Sequence, residues 1–277
     1  MPKPVAVFFA GCNGSGKSTL RDEILQSNQP FIDADLIAKQ VSFSHIQSAD
    51  IVAGREAIRR FRLFIEQKQS FSTETTLSGI GALNNMRKAK NADFEVHLYY
   101  CALANVELNI ARVAERVAKG GHHIPENTIR RRYDESLQNL KTAIEIADEY
   151  MIFDNSNPQE KYKICVIHEN SENYVAHLPN WLEQYLPNQI MQQYWKQQYL
   201  QAKATLSPKE QESLTVAERL IHHAFEKENI SAHTQEYYLG NFYRNTTAEI
   251  QNGTFTIPNP YQKTPTISKK TDKGIDI

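Results

Sequence analysis

Residues 11–18 read GCNGSGKS and match the phosphate-binding pattern G-x-x-x-x-G-K-[ST] at every fixed position. The apolar run VAVFFA at 5–10 is typical of a strand buried in a parallel sheet, and the residues from Ser18 onward have helical spacing. The motif needs this context, because glycines let backbone N–H groups turn toward phosphates and a helix N-terminus adds a positive dipole end. An accidental match is the alternative, and the flanking elements argue against it. The stretch therefore predicts a nucleoside triphosphate site.

The side chains of this loop have distinct predicted roles. Lys17 would reach the β- and γ-phosphates of ATP, and Ser18 would hold the Mg²⁺ ion that accompanies them. The other loop residues would contribute backbone N–H groups. The predicted nucleotide-binding residues are Gly11, Asn13, Gly14, Ser15, Gly16, Lys17, Ser18 and Thr19, with Ser18 as the metal ligand.

The composition limits the classes of protein to which the chain can belong. With 277 residues and a formal net charge of −1, it has no electrostatic footprint for nucleic acid or an anionic membrane. No apolar run approaches the length of a membrane-spanning helix, and the first residues lead straight into a core strand, without room for a signal peptide. Three widely spaced cysteines, Cys12, Cys101 and Cys165, predict reduced thiols. We therefore expect a cytoplasmic protein.

Predicted strands alternate with predicted helices up to about residue 187. This alternation indicates an α/β fold with a mostly parallel sheet and helices on both faces, and we expect 1–187 to form one domain. The strands are predicted near 5–10, 30–33, 71–74, 94–101, 150–153, 162–168 and 173–177. The helices are predicted near 17–27, 50–68, 79–90, 105–118, 125–148 and 179–186. On the helix at 50–68, one apolar face would hold Ile51, Ala57, Ile58, Phe61, Phe64 and Ile65.

The remaining segment has a different character. SPKE at 207–210 is a capping box with proline at the first helical position, and Ser231 is a candidate cap for a further helix. We expect 188–253 to be a helical C-terminal extension. From Thr254 onward Pro, Thr, Lys and Asp dominate, so 254–277 is predicted to be a disordered tail.

Two groups of polar residues follow predicted strands at the sheet edge where ligands bind. Phosphoryl transfer needs a carboxylate that orients or deprotonates the acceptor hydroxyl, and Asp33 and Asp35 follow the second strand. Capping of a helix that begins at Leu36 is the alternative role, which Asp35 also fits. After the third strand, Glu74, Thr75 and Thr76 are candidates for binding the acceptor or completing the Mg²⁺ shell, unless they only start the next helix.

Arginines flank a glycine pair that is predicted to end one helix and act as a hinge. Arg112 and Arg116 precede Gly120-Gly121, and Arg130, Arg131 and Arg132 follow it. A mobile segment of this kind can bring arginines over the phosphates, and a solvated basic face paired with glutamates is the alternative. The adjacent histidines at 122–123 have no carboxylate at ligand spacing, which argues against zinc.

Several further stretches match a known pattern in collinear order. They are FIDAD at 31–35, ETTLSG at 74–79, the arginines at 112 and 116, GGHHIP at 120–125, RRY at 131–133, SLQNL at 136–140 and DNS at 154–156. Together with the loop at 11–19, they resemble the zeta-toxin-like phosphate-loop kinases over about 1–170. The resemblance implies a nucleotide-kinase-like fold, ATP, Mg²⁺, an antitoxin or other protein partner, and phosphorylation of a sugar hydroxyl of UDP-N-acetylglucosamine.

The resemblance also implies roles for individual residues. Asp35 matches the catalytic base, Lys17 the lysine of the loop and Glu74 a substrate contact, while Arg112 or Arg116 matches the first lid arginine. The second lid arginine has no direct match. His122 takes its place, and Arg130 and Arg131 are downstream substitutes.

Three functions are compatible with these residues. The first is a kinase domain at 1–187 that phosphorylates a nucleotide sugar, and the second keeps this mechanism with another nucleotide or nucleoside-type acceptor. The third is a nucleotide-gated binding protein that hydrolyses ATP slowly and acts through its C-terminal helices. Asp35 and the arginine-rich lid favour transfer, because a switch needs no carboxylate near an acceptor pocket.

Overall fold

The computed structural model describes residues 2–25, 30–33, 36–38 and 49–257. The chain divides into two compact units, Met1–Pro187 and Asn188–Ile277. Most of the predicted tail, 258–277, lies outside the described residues. No helix in the described part of the chain is long and apolar enough to cross a membrane.

The first unit contains a seven-stranded sheet. Its strands are β1 (Val5–Ala10), β2 (Phe31–Ile32), β3 (Phe71–Thr75), β4 (Glu95–Ala102), β5 (Glu149–Asp154), β6 (Lys163–Glu169) and β7 (Glu172–Val175). They are ordered β2-β3-β1-β4-β5-β6-β7, and pairing is parallel from β2 to β5 and antiparallel from β5 to β7. The longer helices in the described part of this unit are α1 (Lys17–Ile24), α2 (Ala49–Glu66), α3 (Ile80–Asn91), α4 (Val106–Ala118) and α5 (Glu126–Ile146). The predicted α/β fold with a mostly parallel sheet is confirmed.

Strand β1 lies in the middle of the sheet and is buried on both faces, which explains its continuous apolar sequence. Phe8 packs edge-on against Phe71 of β3 at 6.4 Å between ring centroids, and Phe9 stacks on Tyr99 of β4 at 5.3 Å. These aromatic contacts hold β1 between its two neighbours, so the loop that leaves β1 starts from a rigid position.

Two local predictions in this unit were wrong. A helix was expected over 179–186, but only Glu183–Tyr185 forms a short 3₁₀ turn. Pro187 explains where this turn ends, because a residue before proline is disfavoured in the helical region, and Leu186 is extended with ψ 148°. On α2, Ile51 and Ile58 are 59% and 52% exposed, so only part of the predicted apolar face is buried.

The second unit contains three helices in its described part, α6 (Asn188–Ala204), α7 (Pro208–Lys227) and α8 (Ala232–Gln251). Tyr199, Leu214 and Tyr243, one from each helix, form its buried core. Both predicted caps are confirmed: the Ser207 N–H donates to Glu210 at 2.9 Å, and the Ser231 hydroxyl accepts from the Thr234 N–H at 3.3 Å. The predicted C-terminal helices are therefore present.

We predict that Gly11→Ala strongly destabilises the protein. Gly11 has φ +135°, and a Cβ atom there would lie 2.0 Å from the carbonyl oxygen of Cys101, which is backbone and cannot move aside. Gly81→Ala is the matched control, since Gly81 is helical with no atom within 4 Å of its Cβ position, and should stabilise by up to about 1 kcal/mol. Thermal unfolding measures both. An unchanged melting temperature for Gly11→Ala would contradict the described geometry.

Candidate nucleotide and phosphoryl-transfer site

The loop between β1 and α1 is a tight turn closed by hydrogen bonds to its own backbone. Gly11, Gly14 and Gly16 all have positive φ, and the Ser15 N–H donates to the Cys12 carbonyl at 3.2 Å. The Lys17 ammonium folds back over the loop and donates to the same carbonyl at 3.2 Å. The lysine charge and the N-terminus of α1 therefore lie together at the mouth of the loop.

Side chains from the other end of the domain sequence hold the back of this loop. The Asn155 amide donates to the Ser15 carbonyl at 2.8 Å, and the Tyr162 hydroxyl donates to the Gly16 carbonyl at 3.2 Å. Arg112, a predicted lid arginine, donates to the Asn155 carbonyl at 2.7 Å. Arg112 is therefore linked to the loop through Asn155.

Asn13 is held from a different side of the loop. Its carbonyl accepts from the Asn109 amide at 2.7 Å, and its side-chain oxygen accepts from the Arg132 guanidinium at 2.9 Å. Asn13 and Asn109 are both buried. Arg132 is one of the three arginines predicted after the glycine pair, whereas no sequence motif indicated Asn109, which precedes Arg112 by three residues on the same helix face.

A largely buried carboxylate lies next to the loop on its other flank. Glu74 accepts from the Ser18 hydroxyl at 3.1 Å and from the Arg21 guanidinium at 2.7 Å. The same Arg21 lies 3.8 Å from the Asp33 carboxylate and stacks over the ring of Phe31 at 4.2 Å. Arg21 was not predicted, because its helical position gave no sign of these partners.

The environment of Glu74 changes its protonation. Burial, together with the nearby negative charge of Asp33, raises the pKa of Glu74 above its usual range. The charges of Lys17 and Arg21 and the hydrogen bond from Ser18 oppose this rise. A cation bound at Ser18 would favour the ionised carboxylate.

The two predicted acidic residues after β2 have different outcomes. Asp33 accepts from the Leu36 N–H at 3.2 Å, so it caps the helical turn at 36–38. Asp35, the predicted catalytic base, lies outside the described residues. Its role stays a prediction.

A cleft of about 170 Å³ opens beside Glu74, between α2 and α3. Its apolar lining includes Ile32, Ile58 and Phe61, and its polar lining includes Glu74, Thr75 and Asn85. The Thr75 hydroxyl also accepts from the Leu77 N–H at 3.0 Å, while the Thr76 and Ser78 hydroxyls bond each other at 2.7 Å. The arrangement offers hydrogen-bonding groups over an apolar floor, which is typical of a small-molecule site.

The predicted lid residues lie along α4, its C-terminal turn and α5. Gly120 has φ +86° and ends α4, as predicted, and Arg116 donates to the His122 carbonyl at 3.1 Å. Arg130 pairs with Glu107 and Glu126 at 2.6 Å each, and Arg131 pairs with Glu135 at 2.8 Å. The basic-face alternative therefore describes Arg130 and Arg131 in this structure, while Arg132 reaches the loop.

The sheet order, the glycine loop at the carboxyl end of β1, and the lysine and serine that follow it define a phosphate-loop nucleotide-binding fold of the kinase type. The chain belongs to the zeta toxin family, whose model matches residues 1–172. This membership supports a kinase-type phosphotransferase that binds ATP.

The chain is also similar to individual proteins. An uncharacterised protein of Haemophilus influenzae is 45% identical over 128 residues, which are 46% of this chain and 91% of that protein. A solved AvrRxo1-ORF1:AvrRxo1-ORF2 structure with sulphate ions has a TM-score of 0.57 at 12% identity and covers 92% of this chain and 81% of its own. The corresponding complex with ATP has a TM-score of 0.54 at 15% identity, covering 63% of this chain and 61% of its own. At these identities the solved structures show the fold alone.

The three cysteines should be inert in the native protein at pH 8. Cys12, Cys101 and Cys165 are free and buried, and burial raises their pKa values to about 11, about 12 and about 12. At pH 8 the reactive thiolate of Cys12 would then be on the order of one part in a thousand. Iodoacetamide labelling followed by mass spectrometry, with urea-unfolded protein as control, measures this. Rapid native labelling of Cys12 at pH 8 would contradict the described burial.

Proposed function

We propose that this chain transfers the γ-phosphoryl group of ATP to a hydroxyl group of a small-molecule acceptor. The observation that carries the proposal is the position of Glu74, which bonds Ser18 of the phosphate loop and also lines the neighbouring cleft. Phosphoryl transfer requires the acceptor hydroxyl to be held close to the γ-phosphate and in line with its bond to the leaving oxygen. Glu74 contacts the phosphate loop and also lines the cleft in which we place the acceptor.

The loop residues suit the role of phosphate and Mg²⁺ binding. Lys17 and the N–H groups of the loop would hold the β- and γ-phosphates. Ser18 and Glu74 provide hydroxyl and carboxylate oxygens 3.1 Å apart, which are the hard donors that Mg²⁺ prefers. When bound, Mg²⁺ would neutralise charge on the phosphate oxygens. The ionised form of Glu74 is the one required for this role.

The cleft supports a sugar as the acceptor group. Its volume of about 170 Å³ is below the roughly 300 Å³ of a typical ligand pocket, so it would take one ring and leave the rest of the acceptor outside. Thr75, Asn85 and Glu74 can bond sugar hydroxyls while Phe61 and Ile58 cover the apolar face of the ring. We propose UDP-N-acetylglucosamine as the acceptor, on the strength of the family resemblance, and another nucleotide as the alternative.

Asp35 is the proposed base that receives the acceptor proton. It follows Asp33 by two residues, and the Asp33 carboxylate lies 3.8 Å from Arg21, the partner of Glu74. The capping role offered for Asp35 by the sequence is carried by Asp33, whose carboxylate accepts from the Leu36 N–H. This leaves catalysis as the better explanation for a second aspartate in the sequence three residues after Ile32.

We also propose that 1–187 is the kinase domain and that the helical unit at 188–253 binds a protein partner in the cytoplasm. The solved AvrRxo1-ORF1:AvrRxo1-ORF2 structures are complexes of two proteins, which supports the search for a partner here.

Labelled ATP and a panel of UDP-sugars, nucleosides and dinucleotides test the proposed reaction. We expect Lys17→Ala to lower transfer about 10²-fold or more, whereas the exposed Lys227→Ala should not. Asp35→Asn should keep ATP affinity and lose transfer, because asparagine cannot accept the proton. If wild-type protein hydrolyses ATP slowly and phosphorylates no acceptor, the nucleotide-gated binding protein becomes the better description.

The role of Glu74 predicts a Mg²⁺-dependent effect. Glu74→Gln should raise the Mg²⁺ concentration that gives half-maximal transfer at least tenfold, with a smaller change in ATP affinity at saturating Mg²⁺. Because burial raises the pKa of Glu74, wild-type Mg²⁺ affinity should fall with decreasing pH already above the usual range of a glutamate. Glu160→Gln, which removes an exposed partner of Lys163, is the control. Equal Mg²⁺ requirements for Glu74→Gln and wild type would remove Glu74 from the metal site.

A further inference from the structure

Three successive arginines at the start of α5 have three different environments. Arg130 and Arg131 form ion pairs with glutamates, and both side chains are exposed. The shortest N–O distance is 2.6 Å for Arg130 and 2.8 Å for Arg131. Arg132 is partly buried and bonds Asn13 of the phosphate loop at 2.9 Å. Because successive helical residues point about 100° apart, only one of the three can face the loop.

Asn13 lies beside the place where the terminal phosphates of ATP would bind. It follows Cys12, whose carbonyl accepts from the Lys17 ammonium at 3.2 Å, and this lysine is the group that contacts the β- and γ-phosphates in such loops. The Asn13 backbone is fixed by Asn109 at 2.7 Å. The guanidinium of Arg132 is therefore held beside Asn13, at the end of the loop where we expect the γ-phosphate to bind.

Arg132 differs from its two neighbours in its charged partners. Among the residues that the structure describes, Arg132 forms no ion pair, and its contact with Asn13 is to a neutral amide oxygen. A guanidinium has five N–H donors, and phosphate binds it in a bidentate, charge-assisted manner about twice as strong as a neutral hydrogen bond. A phosphate oxygen is thus a better acceptor for Arg132 than the Asn13 amide.

We propose that Arg132 is the arginine of α5 that contacts the γ-phosphate, and that it exchanges the Asn13 side chain for a phosphate oxygen when ATP binds. Asn13 is then a positioning residue that orients Arg132 before the nucleotide arrives. The inference rests on the proposed function for the identity of the nucleotide. In transfer, Arg132 would stabilise charge on the equatorial phosphate oxygens.

Nucleotide affinity and turnover of the full chain test this proposal, using a non-hydrolysable ATP analogue and ADP in calorimetry. Arg132→Ala should weaken the analogue about tenfold or more and leave ADP affinity unchanged, because only the analogue carries a γ-phosphate. It should lower kcat at least about 10²-fold, and Arg132→Lys should restore only part of the loss. Arg87→Ala, which removes an exposed arginine of α3 that bonds Asn84, is the control and should leave affinity and kcat at wild-type values. Asn13→Ala should have a smaller effect that disappears in the Arg132→Ala background.

The outcomes separate this inference from the proposed function. Equal losses of affinity for the analogue and for ADP in Arg132→Ala would indicate that Arg132 only supports the loop, and would overturn the proposal. An unchanged analogue affinity, or an equal loss in Arg87→Ala, would also overturn it. If wild-type protein binds ATP but phosphorylates no acceptor, the proposed function fails while the comparison of analogue with ADP still decides the role of Arg132. Arg132→Lys, which keeps the charge and most of the side chain, provides the answer if the alanine variant does not fold.

Discussion

The phosphate loop depends on hydrogen bonds that its carbonyl groups accept from behind. A tight loop exposes carbonyls as well as N–H groups, and buried carbonyls without partners are costly. The carbonyls of Asn13, Ser15 and Gly16 accept from Asn109, Asn155 and Tyr162 respectively. With these carbonyls bonded inward, they do not compete for the anion-binding side of the loop, where N–H groups other than that of Ser15 can bind an anion. Residues nearly 150 positions away in the chain are therefore needed to shape an eight-residue motif.

The sheet order explains how the rest of the site assembles around this loop. Strand β1 lies between β3 and β4, so the residues that leave the carboxyl ends of these neighbours flank the loop on opposite sides. The register pairs Phe9 with Glu74, which brings the Glu74 carboxylate level with the start of α1. On the other side, β4 leads into α4, which carries Asn109 and Arg112. One flank is therefore acidic and borders the cleft, and the other supplies amide and guanidinium groups.

The strand, loop and helix at 5–24 could be predicted from sequence because the spacing of the motif itself requires that context. The hydrogen-bond and ion-pair partners of the arginines could not be predicted from sequence. The spacing of residues does not tell which way a helix is rotated or which glutamate lies within reach. Of the three arginines predicted at 130–132, Arg132 reaches the loop while Arg130 and Arg131 pair with glutamates. Arg21, which no motif indicates, bonds Glu74. Asp35 stays a prediction, since it lies outside the described residues.

The exposed side chain of Ile58 has a thermodynamic consequence. Ile58 is 52% exposed and lines the cleft beside Glu74. Its apolar surface in the cleft is therefore in contact with water, which cannot form hydrogen bonds with an isoleucine side chain. Any molecule that fills the cleft displaces this water, and burial of apolar surface lowers the heat capacity of the complex. The temperature dependence of the binding enthalpy therefore carries a signature of occupancy of the cleft, separate from that of the polar phosphate loop.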